Sequence, residues 1–437
     1  MFRKVFTEKG LRQLRKFVLM VAAALGLVAL FGGAAMGVSI TVWHSMTTTQ
    51  QDLLEEITED FRRAYPGIEV ELVYAGGYVD TMEKALTAHA AGAGPHVLQL
   101  EQTRSAVFYY SGALLSIDEF IDGPDGIDLS DFSPTMLGAV TYDGKLYGLP
   151  YNVSTPLLYY NRGLFLESGL SGDAPRTTQE LFEFARKITR DTDGDGNPDI
   201  YGFDFYEWGW LFEAWIGRRG GRVLNDDLTA FTFNSQEAVE IMEFAQEMVN
   251  QHQVARAPGN YSQFWNGTLA MRELSTASLA NNIRSAAEHG MDMAVAPLVC
   301  DVECYAPIGG GNFFLMNTGT REQQEAAWKY LRFITNTENL ARFSAGSGYM
   351  AGRRSAFEHP ILLEKFLEQP EFRVTYEQMD TAYPRPKVPF WQSDVAPLLT
   401  GFFRVQFAEN GNVRQYLDQA VEKANQRLME WRSELGL

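Results

Sequence analysis

The sequence predicts an α/β protein, and three observations carry that expectation. Residues 39–101 alternate strand, helix, strand, helix, strand with short connections, the pattern of a parallel sheet flanked by helices. The stretch YGLPYNVSTPLLYYN at 147–161 begins as a strand, turns polar at Asn152-Val153-Ser154-Thr155, and resumes as an apolar strand. Pro150 and Pro156 hold it extended. It reads equally as a ligand-lined crossover between two lobes or as a plain loop between two strands. The chain has 437 residues, 46% of them hydrophobic and 13% aromatic, which is ample for two or three packed domains.

Each element has a local reason. Residues 39–43 alternate as a strand, and Thr49 is the expected cap of a helix whose apolar Leu53, Leu54, Ile57, Phe61 and Ala64 repeat at helical spacing. Pro66-Gly67 ends it. Residues 68–74 form a second strand, 78–91 a second helix stopped by Gly92, and 96–101 a third strand. In such sheets ligands sit beyond the carboxyl ends of the strands. Those ends carry His44-Ser45, Tyr74 to Tyr78, and Glu101-Gln102. Past the crossover, Thr177 with Glu180 predicts a capping box ahead of Leu181, and Asn234 with Glu237 predicts a helix running to Val249. Residues 291–298 and 313–316 read as strands, 320–333 as an amphipathic helix, and the chain beyond Gly346-Ser347-Gly348-Tyr349 as mostly helical. There is no internal repeat and no low-complexity tract.

The net charge is −18. Residues 1–37 hold six basic residues and the single acid Glu8, so the remainder carries −23. Such a body argues against a nucleic-acid or anionic-membrane partner, because those surfaces need clustered cations. An anionic ligand would need a local arginine or helix N-terminus.

Residues 1–37 read as a cleavable secretory signal peptide. A basic region ends at Lys16, an apolar run covers 17–31, and Ala35 and Gly37 are spaced for cleavage. An uncleaved anchor over 17–38 is the competing reading, since that stretch is long enough to span a bilayer. No cysteine lies near the junction, which points to a periplasmic protein without a lipid anchor. The only cysteines, Cys300 and Cys304, stand four apart in an exported chain and predict a local disulfide. A metal site would need more ligands.

Several stretches carry candidate chemistry. In Tyr206-Glu207-Trp208-Gly209-Trp210, two indoles flank a glycine and suit stacking on a sugar or polyol; core packing is the ordinary fate of tryptophan. Ser154, Ser275 and the glycine run around Gly310 offer hydroxyls and approachable backbone, though each taken alone reads first as an ordinary turn. Asp191, Asp193, Asp195 and Asp199, with Gly196 at the sixth position, resemble a calcium loop. Its twelfth position is Gly202 rather than the bidentate glutamate, so a solvated acidic turn is the alternative. No GxSxG, HExxH or P-loop is present.

STPLLYYN at 154–161 joins GGYVD (76–80), the strand ending at Glu101, the Trp-rich segment, STASLAN (275–281), IGGGN (308–312) and SGYM (347–350). In this order the chain resembles the extracytoplasmic solute-binding proteins of ABC importers, in the carbohydrate-binding family and nearest its glycerol-phosphate binders. The resemblance covers essentially the whole chain beyond Thr41. It implies the two-lobed type II periplasmic binding protein fold with a ligand cleft between lobes. The first lobe would comprise 38–149 and 308–340, the second 150–307 and 341–437. Ligand-contacting positions would be Tyr78, Gln102, Ser154, Trp208, Trp210, Ser275, Gly310 and Tyr349. The phosphate-binding arginine of that branch has no counterpart in 391–396, leaving Arg104 or Arg404 as substitutes and giving weight to a neutral sugar.

The function expected is that of a monomeric periplasmic receptor without a cofactor, calcium aside. It would capture a carbohydrate or glycerol-phosphate-type ligand by hinge closure and deliver it to a membrane permease. A secreted carbohydrate-active enzyme and a ligand sensor on the same fold are the rivals.

Overall fold

The computed structural model describes residues 37–407 and 411–436. The signal peptide expected at 1–37 lies, but for its last residue, outside the described residues. Among the described residues no helix is long and apolar enough to cross a membrane.

Two five-stranded sheets organise the chain. The first has the order Ile68–Tyr74, Val38–His44, Val97–Glu101, Gly309–Leu315, Gly148–Ser154. Val38–His44 and Val97–Glu101 run parallel, with Val42 opposite Val97. Gly309–Leu315 runs antiparallel to both of its neighbours. It begins inside the glycine run, four residues ahead of the strand expected from hydrophobicity at 313.

The second sheet has the order Met293–Ala296, Pro156–Asn161, Leu269–Ser275, Tyr201–Asp204, Ala255–Arg256. Pro156–Asn161 is antiparallel to both of its partners. Leu269–Ser275, Tyr201–Asp204 and Ala255–Arg256 are mutually parallel. Both crossover strands, Gly148–Ser154 and Pro156–Asn161, are buried along their whole length. Burial on both faces fits the apolar run of Pro156–Asn161, whereas Gly148–Ser154 buries the polar Asn152 and Ser154.

Three expectations need correction. Helix Thr48–Ala64 starts two residues early, with Thr47 rather than Thr49 at the N-cap position and no side-chain capping bond. Helix Gln236–Asn250 is capped by Ser235, whose hydroxyl accepts from the Ala238 amide; Asn234 instead turns to Asp418 at 2.8 Å. The expected lobe boundaries also shift. The 149/150 boundary falls inside a first-sheet strand whose pairing with Gly309–Leu315 extends to Ser154. The 340/341 boundary falls inside helix Thr337–Ser347, which packs as a unit on Thr48–Ala64 with Arg342 paired to Asp60 at 2.6 Å.

The second sheet is backed by an aromatic-rich core. Helix Val413–Leu435 lays Leu417, Val421, Leu428 and Trp431 into it at helical spacing. Consecutive residues of one strand of the same sheet make two fully buried ion pairs on its opposite faces, Arg272–Asp204 at 2.9 Å and Arg218–Glu273 at 2.7 Å. The indole of Trp215 donates to Glu273 at 3.0 Å, so that carboxylate is held by two partners. Cys300 and Cys304 form the expected disulfide.

Candidate ligand-binding site

The crossover is the meeting point of several segments. The Thr276 amide donates to the Thr155 carbonyl at 2.9 Å, and the Met350 amide donates to the Val153 carbonyl at 2.8 Å. Gln378 donates to the Thr155 hydroxyl at 2.8 Å and to the Pro156 carbonyl. Ile308, at the return crossing, donates to the Tyr383 carbonyl at 2.8 Å. Ser275 borders this junction opposite Pro156. Its hydroxyl caps the Ala277 amide at 3.1 Å, and its carbonyl accepts from the Tyr159 hydroxyl at 2.8 Å.

On the first-lobe side, a polar relay connects predicted and unpredicted residues. Tyr78 is the first residue of helix Tyr78–Ala90, and its hydroxyl accepts from Asn152 at 3.1 Å. Asn152 in turn accepts from Gln99 at 2.8 Å, and Gln99 accepts from the Ser45 amide at 2.7 Å. Tyr349 joins the same cluster through Asn152 and Tyr78. Burial pushes both phenols up, Tyr78 well above its ordinary value. Both therefore stay neutral donors.

Gly310 is where the glycine run is obligatory. Its φ is +77°, and a Cβ there would sit 1.9 Å from the Asn152 carbonyl oxygen. Gly309 pairs with Ser154, and a Cβ on it would come within 2.8 Å of the Trp210 ring. Trp210 is thus buried against the glycine strand and Ser154, whereas Trp208 is 40% exposed at the start of helix Gly209–Arg218. Their rings lie 4.7 Å apart. The two indoles differ in setting: Trp210 is packed inside, and Trp208 presents a face to solvent.

Oε1 of Gln102, Nε of Arg104 and Nε1 of Trp210 are among the buried polar atoms that have no hydrogen-bond partner in the protein. Gln102 and Arg104 share the short turn that follows Val97–Glu101. Trp210 belongs to the second lobe.

A charged cluster completes the site. Arg385 donates from Nε to both oxygens of Glu213 at 3.1 and 3.0 Å, and from Nη2 to Oε1 at 2.6 Å. Its Nη1 donates to Glu101 at 3.0 Å. The other oxygen of Glu101 accepts from the Thr103 hydroxyl at 2.6 Å and from Gln392 at 3.3 Å, and lies 3.8 Å from Nε of Arg104. Arg104 also donates to Gln392 at 3.1 Å. Burial pushes the Glu213 carboxyl up, while the Arg385 guanidinium opposes that shift.

Asn152, Glu213 and Arg385 are absent from the expected contact set. Glu213 carried a signal: a lone acid inside the apolar WLFEAWI must meet a cation if that helix is buried. Arg385 stands between Pro384 and Pro386, in a segment whose position nothing local fixes. Of the two substitute arginines, Arg104 lies in the cluster and Arg404 is exposed elsewhere. The acidic loop is separate from this site. Asp191, Asp193 and Asp195 bring one carboxylate oxygen each within 4.8 Å of one another, all exposed. Asp199 is not part of that group; its carboxylate accepts from the Thr192 amide at 2.7 Å.

Known proteins share this architecture. The structure of UgpB from Mycobacterium tuberculosis in complex with glycerophosphocholine superposes with a TM-score of 0.78 at 22% identity, over 92% of this chain and 100% of that one. The cyclic α-maltosyl-1,6-maltose binding protein of Arthrobacter globiformis gives 0.77 at 19% identity, over 90% and 99%. Both show the two-lobed periplasmic binding protein fold that the sequence led us to expect. In sequence, the sn-glycerol-3-phosphate-binding periplasmic protein UgpB of Salmonella paratyphi A is 28% identical over 430 residues, 93% of this chain and 96% of that protein. The Escherichia coli K12 protein of the same name is 28% identical over 429 residues, with the same coverage. These relatives are solute-binding proteins, not enzymes. Residues 56–372 match the bacterial extracellular solute-binding protein family, and the chain belongs to it.

Proposed function

We propose that this chain is the periplasmic receptor of an ABC importer, capturing a carbohydrate or glycerophosphate-type ligand between its lobes and delivering it to the permease as a monomer. The observation that carries the reading is the set of buried polar atoms without a hydrogen-bond partner in the protein, Gln102 Oε1 and Arg104 Nε on one lobe and Trp210 Nε1 on the other. Buried hydrogen-bonding groups left unpaired cost about 1–3 kcal/mol each. A polar ligand that bonds to both lobes regains that energy only in the closed state, so binding drives closure. Tyr78 and Tyr349 supply neutral hydroxyls, Ser154 and the Gly310 backbone line the crossing, and the exposed face of Trp208 covers the apolar side.

A thermal-shift screen tests this with maltose, glycerol 3-phosphate and its diesters. A ligand that binds only the native state raises the melting temperature. No shift with any of them would sink the ligand class. Calcium at Asp191, Asp193 and Asp195 rests on the spacing of three carboxylates. Calcium titration of the chelator-treated protein tests it: an unchanged melting temperature leaves a solvated acidic turn.

A further inference from the structure

Four charges meet in the cluster described above. Glu101 and Arg104 come from the first lobe, Glu213 from the second, and Arg385 from the C-terminal segment that reaches both. Every guanidinium nitrogen of Arg385 already has a carboxylate partner: Nε and Nη2 face Glu213, and Nη1 faces Glu101. Glu213 is 2% exposed, so solvent does not screen it. Two carboxylates against two guanidiniums leave the cluster with no net charge. A phosphomonoester dianion bound beside it would gain no uncompensated cation and would face two fixed carboxylates.

We propose that Glu213 is a positioning residue that sets the charge of the ligand. By occupying Arg385 it selects net-uncharged ligands, either neutral saccharides or phosphodiesters that carry their own cation, over phosphomonoester dianions. The inference rests on reading this cleft as the ligand site. If Glu213 were merely structural, removing its charge would weaken all ligands alike. If it sets charge preference, removing it frees one guanidinium and favours the anion selectively.

The test is calorimetric titration of the purified protein with maltose, glycerophosphocholine and glycerol 3-phosphate. The wild type is expected to bind maltose or glycerophosphocholine at least tenfold more tightly than glycerol 3-phosphate. Glu213→Gln is expected to reduce that preference by about tenfold or more. Which of the two net-uncharged probes binds separates a saccharide from a diester. Wild-type affinity for glycerol 3-phosphate equal to or above that for the others overturns the inference, as does an unchanged ratio in Glu213→Gln. Binding of none of the three overturns the ligand class and this inference together, whereas binding with an unmoved ratio overturns this inference alone. Circular dichroism checks that the variant folds; should it not, Glu101→Gln on the opposite lobe makes the same comparison, and the wild-type preference already decides.

Discussion

Arg385 chelates Glu213 with three hydrogen bonds of 2.6 to 3.1 Å and reaches Glu101 with a fourth at 3.0 Å. One side chain thereby ties a helix of the second lobe to a strand end of the first. Removing it leaves the Glu213 carboxylate buried without a cation and Glu101 with Arg104 alone, at 3.8 Å. Breaking one partner of a buried pair costs about 3–5 kcal/mol. Arg385→Ala is therefore expected to lose stability of that order in urea unfolding. Arg385→Lys should recover little, because an ammonium cannot reproduce the planar fork. A loss below about 1 kcal/mol in the alanine variant would mean that the network is not formed.

The two indoles should separate stability from binding. Trp210 is 2% exposed, and Trp210→Ala is expected to cost about 3–5 kcal/mol in unfolding free energy. Trp208 is 40% exposed, and Trp208→Ala should cost less than about 1 kcal/mol in stability. Loss of its stacking face should weaken ligand binding by about tenfold. Matched unfolding curves and titrations check the contrast. Equal effects of the two changes on both measurements would refute it.

His44 gives a pH prediction. Burial pushes its imidazole down from 6.5 to about 4, against the opposing pull of Glu55, and its Nδ1 accepts the Met46 amide at 3.2 Å. The folded state therefore binds fewer protons than the unfolded state between pH 4 and 6.5. The associated stability is full above pH 6.5 and is lost as pH falls to 4, a contribution of about 3 kcal/mol. Urea unfolding at pH 7 and pH 4 should show a drop larger by about that amount in wild type than in His44→Gln. Parallel pH profiles would remove His44 as the cause.

Gly310→Ala should be damaging out of proportion to its size. The residue has φ +77°, and an added Cβ would meet the Asn152 carbonyl at 1.9 Å. The left-handed backbone alone costs an alanine about 1–2 kcal/mol, and the strand must also move off its neighbour. We expect a lower melting temperature and, because Asn152 also holds Tyr78, weaker binding. Gly290→Ala, also at positive φ but with nothing within 4 Å, is the control that isolates the steric part.

Much of this was legible in the sequence where the signal is local. The alternation over 39–101 pointed to the parallel core of the first sheet, and the strand, polar step and apolar strand over 147–161 pointed to two strands joined by a crossover. Caps were legible to within two residues: a Thr or Ser run offers several hydroxyls, and backbone geometry rather than composition chooses between Thr47 and Thr49, or Asn234 and Ser235. The return of Gly309–Leu315 to the first sheet was not legible from composition, because long-range pairing leaves no mark on local periodicity. Arg385 was hidden for the same reason. Its partners lie 172 and 284 residues away in sequence.

The placement of Gly309–Leu315 also governs the order in which the chain can fold. This strand fills the space between Val97–Glu101 and Gly148–Ser154. All five strands of the second sheet, from Pro156 to Ala296, precede it in the sequence. A chain emerging from its N-terminus can thus complete the second sheet while the first still lacks an inner strand and presents two unpaired edges. Closing that gap joins segments about 160 and about 210 residues apart, and contacts of such high sequence separation are slow to form. Slow closure prolongs the interval in which those two edges stay unpaired. It also leaves the nascent first lobe dependent on protection from edge-to-edge association until residue 315 arrives.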